Sequence, residues 1–113
     1  MHILYHITPS ENLKSILEKG IIPNAKKGLT SYSNDKRVWL TDNPSYILEQ
    51  QAGSEWVKKY KPHILTVNIE PYRDMLKAYI TWAYSIPKVC SHEFYIESSI
   101  KPLDIVEIKH YES

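Results

Sequence analysis

Residues 3–22 read Ile3-Leu4-Tyr5-His6-Ile7-Thr8-Pro9-Ser10-Glu11-Asn12-Leu13-Lys14-Ser15-Ile16-Leu17-Glu18-Lys19-Gly20-Ile21-Ile22. Residues 3–7 read as a first strand, rich in β-branched and aromatic side chains. Thr8-Pro9-Ser10-Glu11 then spells a helix start. Threonine can cap, proline suits the first helical position, and a glutamate three residues after the threonine completes a capping box. Leu13, Ile16 and Leu17 form one apolar face at helical spacing. Gly20 stands where a helix stops with a positive φ. Ile21 and Ile22 lead into a short strand that Pro23 limits.

Downstream, residues 24–36 are polar, with Gly28 and several Ser, Asn and Asp, and read as a loop. Residues 37–41 read as a strand, Asp42-Asn43-Pro44 as a cap and first turn, and 46–51 as the helix that follows. Gly53-Ser54 interrupts that helix before a further turn or two over 55–60. In residues 64–69, Leu65, Val67 and Ile69 alternate with Thr66 and Asn68, the pattern of a half-buried strand. Residues 73–78 read as a short helix. Residues 79–110 are strand-like with breaks at Pro87 and Pro102, and 94–96 and 105–108 are the best strands there. Strands outnumber helices and the main helices come early, so the expected class is α+β with a mixed or antiparallel sheet. Neither GxGxxG nor a Walker A sequence is present. At least two strands of the last third are expected to pair with residues 4–7 and 64–69.

The 113 residues suit one domain, 1–113, with one modest core. Apolar residues at 42% and charged residues at 24% are ordinary for a globular chain. No apolar run approaches the roughly 20 residues that cross a bilayer. Met1-His2-Ile3-Leu4-Tyr5 lacks the basic and apolar regions of a signal peptide. One cysteine, Cys90, forms no internal disulfide, and a reducing, cytoplasmic setting is expected. A net charge of +1 argues against a protein that coats nucleic acid. Nine tyrosines and three tryptophans against one phenylalanine suit either rim packing or a stacking surface for a flat ligand.

Three blocks resemble the ADP-ribosyltransferase superfamily, in its order. Leu4-Tyr5-His6-Ile7-Thr8 with Asn12-Leu13, Ile16-Leu17 and Gly20-Ile21 resembles the family's opening strand and helix. In poly(ADP-ribose) polymerases an aromatic, His-Gly-Ser, Asn, Ile-Leu and Gly-Leu stand at this spacing. Val38-Trp39-Leu40-Thr41-Asp42, with Tyr46 beyond, resembles the strand carrying the nicotinamide-stacking aromatic. His92-Glu93-Phe94-Tyr95-Ile96, followed by Pro102 and residues 105–108, resembles the strand opened by the catalytic glutamate and the closing strand. DNA-targeting ADP-ribosyltransferase toxins end similarly. Two departures stand out: the glycine usual after the histidine is Ile7, and the chain is short for the family. The resemblance implies a split sheet, NAD as co-substrate, transfer of ADP-ribose to a macromolecular acceptor (protein or nucleic acid), and no metal.

That reaction breaks the bond between nicotinamide and ribose through an oxocarbenium-like transition state. The protein must orient the dinucleotide and stabilise the ribosyl cation with a carboxylate. By the resemblance Glu93 is that carboxylate, with Glu97 second to it; a solvent-facing glutamate is the plainer reading. His6 would hydrogen-bond a ribose hydroxyl, or else fill a strand face near the core. The backbone of Ile7 would meet the carboxamide if its side chain points away. Thr8 offers its hydroxyl either to the carboxamide or to the helix cap. Trp39 and Tyr46 would bracket the nicotinamide, or pack. Tyr5, one residue from His6, turns to the opposite face and is read as core. Lys26, Lys27 and Lys36 suit a pyrophosphate or a plain solvated loop. His6, Trp39 and Glu93 should then line one cleft, with Tyr46 at its wall.

Cys90 and His92, with His63 and His110, lack the paired spacing of a zinc site, and Cys90 has no evident base for a nucleophile's role. RNA 2′-phosphotransferases share the fold but grip phosphate with several arginines, and only Arg37 and Arg73 occur here. A non-catalytic module that binds NAD or ADP-ribose is the alternative of a different class.

Overall fold

The computed structural model describes residues 2–23, 36–83 and 86–111, with residues 81–91 as backbone alone. Strands β1 (Ile3–Thr8), β3 (His63–Asn68) and β6 (Ile105–His110) form one antiparallel sheet in the order β1-β3-β6. Strands β2 (Val38–Leu40), β4 (Lys77–Ala83) and β5 (Ile86–Ile96) form a second, in the order β2-β5-β4. One bridge, Tyr5 to Thr41, joins β1 to the end of β2. The chain is thus an α+β domain whose described sheets are wholly antiparallel. The sheets are divided differently from the sequence expectation: of the last third, β6 alone joins β3, while β5 pairs with β2 and β4. Nothing local distinguishes these partners, because all the strands carry similar apolar alternation.

That alternation sets the core. Leu65 and Val67 from β3, Val38 and Leu40 from β2, and Ile96 from β5 pack with Ile16, Ile21, Ile69, Tyr72 and Ile100 between the elements. Leu65 and Val67 are fully buried, and each contributes about 1.5–3 kcal/mol by that burial. The opposite face of the first sheet carries a smaller cluster of Ile7, Ile47, Leu48 and Val57, with Ile64 against it. The wider turn Ile47–Ala52, which joins helices α2 (Pro44–Tyr46) and α3 (Gly53–Tyr60), supplies Ile47 and Leu48 to that cluster, and α3 supplies Val57. Asn43 starts α2 as expected: its Oδ1 accepts the Tyr46 N–H at 3.1 Å, and Pro44 follows. Helix α1 (Leu13–Lys19) ends at Gly20, with φ +84°.

Three local expectations are corrected. Thr8 does not cap: it closes β1, and its hydroxyl donates toward the Pro9 carbonyl at 3.4 Å, while the chain enters α1 through a tight turn over Ser10–Asn12. Residues 73–78 are not one helix. A tight turn spans Glu70–Met75, opened by Pro71 and by Asn68 Oδ1 accepting the Glu70 N–H, and Lys77 already begins β4. Pro87 does not break β5, in which it is the second residue, near a strand end where a missing N–H is tolerated. Pro102 does interrupt, opening the turn Pro102–Asp104. There the buried Tyr72 hydroxyl donates to Asp104 Oδ2 at 2.5 Å and accepts the Lys101 N–H at 2.8 Å.

Candidate functional site

The site grows from the seam between the sheets. Tyr5 and Thr41 exchange both backbone hydrogen bonds at 2.8 Å, and the ladder stops there. In an antiparallel ladder a residue points its N–H and C=O to one neighbour, and successive residues alternate. Tyr5 turns to β2, so His6 turns to β3, and Ile7 turns back to the side where β2 has parted. The backbone polar groups of Ile7 therefore face the fork between β1 and β2. The Ile7 side chain lies the other way, in the cluster with Ile47, Leu48 and Val57. An isoleucine in the glycine position thus keeps its side chain out of the fork.

His6 occupies the fork. Its Nδ1 is 2.8 Å from the Trp39 carbonyl oxygen. A carbonyl only accepts, so Nδ1 carries the proton and donates. Loss of hydration pushes this half-buried imidazole below the usual histidine range, against the opposite pull of the Trp39 bond. The ring is then neutral at pH 7, and its Nε2 is an acceptor. The expectation for Tyr5 is corrected by the same geometry. Leu4 packs against the main core, His6 shares that side of β1, and half-buried Tyr5 stands on the other side, with Thr41.

Trp39 pairs with Tyr95 across β2 and β5, and both side chains stand on the face away from the main core. Their ring centroids are 5.4 Å apart, and the Tyr79 ring meets Trp39 edge-on at 4.9 Å. The Arg37 guanidinium lies 4.6 Å from the Tyr95 ring and 5.6 Å from that of Trp39. Glu93, two residues before Tyr95, turns to this same face. Glu97 is on it too, but its carboxylate is taken up by Lys77 at 3.5 Å. Glu93 is half-buried and, among the described residues, forms no hydrogen bond or ion pair, so its carboxylate is uncommitted.

A contact that sequence reasoning gave no role secures Glu93. His92 has φ +68°, and its Nδ1 donates to Asp42 Oδ1 at 2.6 Å. Its ring lies 4.9 Å from that of Tyr46. On the other side of Glu93, Phe94 pairs with Leu40 in the ladder. The segment carrying Glu93 is therefore held to the end of β2 from both flanks. The signal in the sequence was the adjacency of His92 to Glu93, and it does not name Asp42 as a partner.

The structure therefore brings His6 to Trp39, Glu93 to the Trp39 face, and Tyr46 to His92 beside Glu93. Trp39 and Tyr46 keep separate ring partners. Among the described residues no contact joins His6 to Glu93, so the cleft expected to hold them both with Trp39 belongs to the proposal below. Thr8 is buried, 1% exposed, next to the fork. Lys26 and Lys27 lie outside the described residues, as does the side chain of Cys90; Lys36 is exposed. Among the described residues no three His, Cys, Asp or Glu side chains gather as a metal site, and no helix is long and apolar enough to cross a membrane.

Away from the fork, Ser10 Oγ donates to the Lys61 carbonyl and lies 3.2 Å from His63 Nδ1, whose ring is 5.0 Å from that of His110. Burial, and secondarily the charge of His110, lowers the His63 imidazole from its ordinary value. His6 is lowered as well, so folding disfavours the protonated form of both. Their contribution to stability is complete above the unfolded value of 6.5 and is lost as pH falls through the folded values. Thermal midpoints recorded from pH 8 to pH 5 should hold and then decline below about 6.5. The double variant His6→Gln/His63→Gln should flatten that decline.

Compared with known proteins, the chain matches no protein-family model and no curated protein, so the chemistry of the fork is the ground on which its function is read.

Proposed function

We propose that the chain is an NAD-dependent ADP-ribosyltransferase that transfers ADP-ribose to a macromolecular acceptor and releases nicotinamide. The observation that carries this reading is the fork between β1 and β2. There a neutral His6 has spent its donor on the Trp39 carbonyl and keeps Nε2 as an acceptor, beside the outward-turned backbone of Ile7. The groups available suit the dinucleotide. Ile7 offers a backbone donor and acceptor matched to a carboxamide, which has one of each. His6 Nε2 accepts from a ribose hydroxyl. Trp39 supplies an aromatic wall, and Glu93 supplies an uncommitted carboxylate on the same face. The split sheet that the family resemblance implies is consistent with two sheets joined by one bridge.

When bound, NAD supplies the glycosidic bond that is broken and nicotinamide as a neutral leaving group. The chain's own residues orient and stabilise. His6 fixes the ribose through a bond present from binding onward. Glu93 acts as charge develops on the ribose, and its carboxylate can also orient or deprotonate an acceptor. The His92–Asp42 contact keeps the Glu93 backbone against β2.

The test is incubation of the purified protein with NAD, with nicotinamide followed by chromatography and NAD binding by calorimetry. Release above background supports the transferase; binding without release replaces it with a binding module. Label transferred from NAD in cell lysate, followed by nuclease or protease, then identifies the acceptor. His6→Ala should weaken NAD binding about tenfold, the worth of one hydrogen bond to a ligand hydroxyl, and lower the rate with it. Its stability should fall by about 1–2 kcal/mol, because the Trp39 carbonyl loses its donor.

A further inference from the structure

Strand β6 ends its sheet, and no described strand pairs with its outer edge: Val106 is 50% and Ile108 39% exposed, and Leu103, just before the strand, is 78% exposed. The ladder alternation fixes which backbone groups are free. Tyr5 spends its pair on β2, so Leu4, His6 and Thr8 bond to Val67, Leu65 and His63. Ile64 and Thr66 then bond to Lys109 and Glu107 of β6. Ile108 is left with N–H and C=O pointing outward from the sheet.

We propose that this edge pairs with the same edge of a second copy of the chain, antiparallel and centred on Ile108. The strand is self-complementary about that residue. Ile108 meets Ile108 of the second copy as a pair that exchanges both backbone hydrogen bonds, because its polar groups face outward. Glu107 falls opposite Lys109, and Lys109 opposite Glu107, at the positions between, where cross-strand side chains come closest. His110 falls opposite Val106, where the bulge between Thr66 and Val67 ends the regular ladder. Two opposite-charge pairs therefore flank one apolar pair. Glu107 and Lys109 are both exposed and form no ion pair among the described residues, so they are available for this contact. No proline blunts the edge within β6, and its two charges cancel in this register instead of repelling. The outcome is one continuous sheet across two copies, with the forks at its far sides.

Light scattering coupled to gel filtration, over a concentration series, tests it on the whole chain. The expected mass approaches twice the 13.2 kDa of one chain as concentration rises. Glu107→Lys sets like charges across both flanking pairs and should weaken association about tenfold or more. Glu107→Lys/Lys109→Glu restores the complementarity with the signs exchanged and should restore the dimer. Ile108→Pro removes an outward N–H without taking a bond from β3 and should yield a single-chain mass. Circular dichroism on each variant verifies that it is folded. A single-chain mass for the unaltered protein throughout the series would overturn the proposal. So would undiminished association of Glu107→Lys, or a charge-swapped double variant no better than the single one.

Discussion

Glu93→Gln should bind NAD nearly as well as the unaltered protein and release nicotinamide on the order of a hundredfold more slowly, or slower still. The substitution keeps the size and much of the hydrogen bonding of the side chain and removes only its charge. In the bound state the ribose is close to neutral, so little affinity depends on that charge. As the glycosidic bond stretches, positive charge spreads over the ribose and the carboxylate's attraction grows. An interaction made chiefly in the transition state lowers turnover and leaves binding alone, whereas His6→Ala should lower both. Fold stability should stay within about 1 kcal/mol, because Glu93 has no partner to lose among the described residues. Calorimetry and chromatography on the same preparation separate the two quantities. Full turnover by the variant would remove Glu93 from the mechanism. Glu97, although it is tied to Lys77, would then be the next carboxylate to replace.

Gly20→Ala should destabilise the domain by about 3 kcal/mol or more, with a fall in thermal midpoint on the order of 10 °C. Two independent costs add. Gly20 has φ +84° and ψ −175°, a region open essentially to glycine alone. A Cβ there would lie 2.1 Å from the Ile100 carbonyl oxygen, and backbone cannot swing aside as a flexible side-chain tip does. That same oxygen accepts the Ile21 N–H at 2.9 Å, and the Ile100 N–H donates to the Ile21 carbonyl at 2.9 Å. Relieving the clash therefore pulls apart a bridge between two buried core residues. Gly53→Ala is the control. It has φ +81°, but nothing lies within 4 Å of its added Cβ, so it bears the conformational cost alone. Urea unfolding of both variants should rank Gly20→Ala well below Gly53→Ala, and equal losses would refute the close-approach argument.

These glycines show how far the sequence reaches. Gly20 is legible as a helix stop because the apolar spacing of Leu13, Ile16 and Leu17 runs out there. Its contact with Ile100, eighty residues on, is not. Asn43-Pro44 is legible as a helix start for the same reason: the hydrogen bond that makes it spans three residues. Thr8 does not cap because its capping signal competes with a strand that runs through it and buries its side chain. The break that the sequence suggests at Pro87 is absent, because a proline at the second position of a strand costs no ladder bond that the fold needs.

The sequence by itself determined the α+β class, most strand positions, the two clear helix boundaries and the residues worth asking about. Each depends on signals within a few residues of one another. The tertiary structure decided which strands pair, that β1 and β2 part after a single bridge, and that His6 donates to a carbonyl 33 residues away. It also decided that His92 is held by Asp42 across 50 residues, beside Glu93. Strand pairing draws on backbone groups that every residue carries, so its register is written in the packing of distant side chains and not in any one segment. A tautomer or a free carboxylate follows from that register alone.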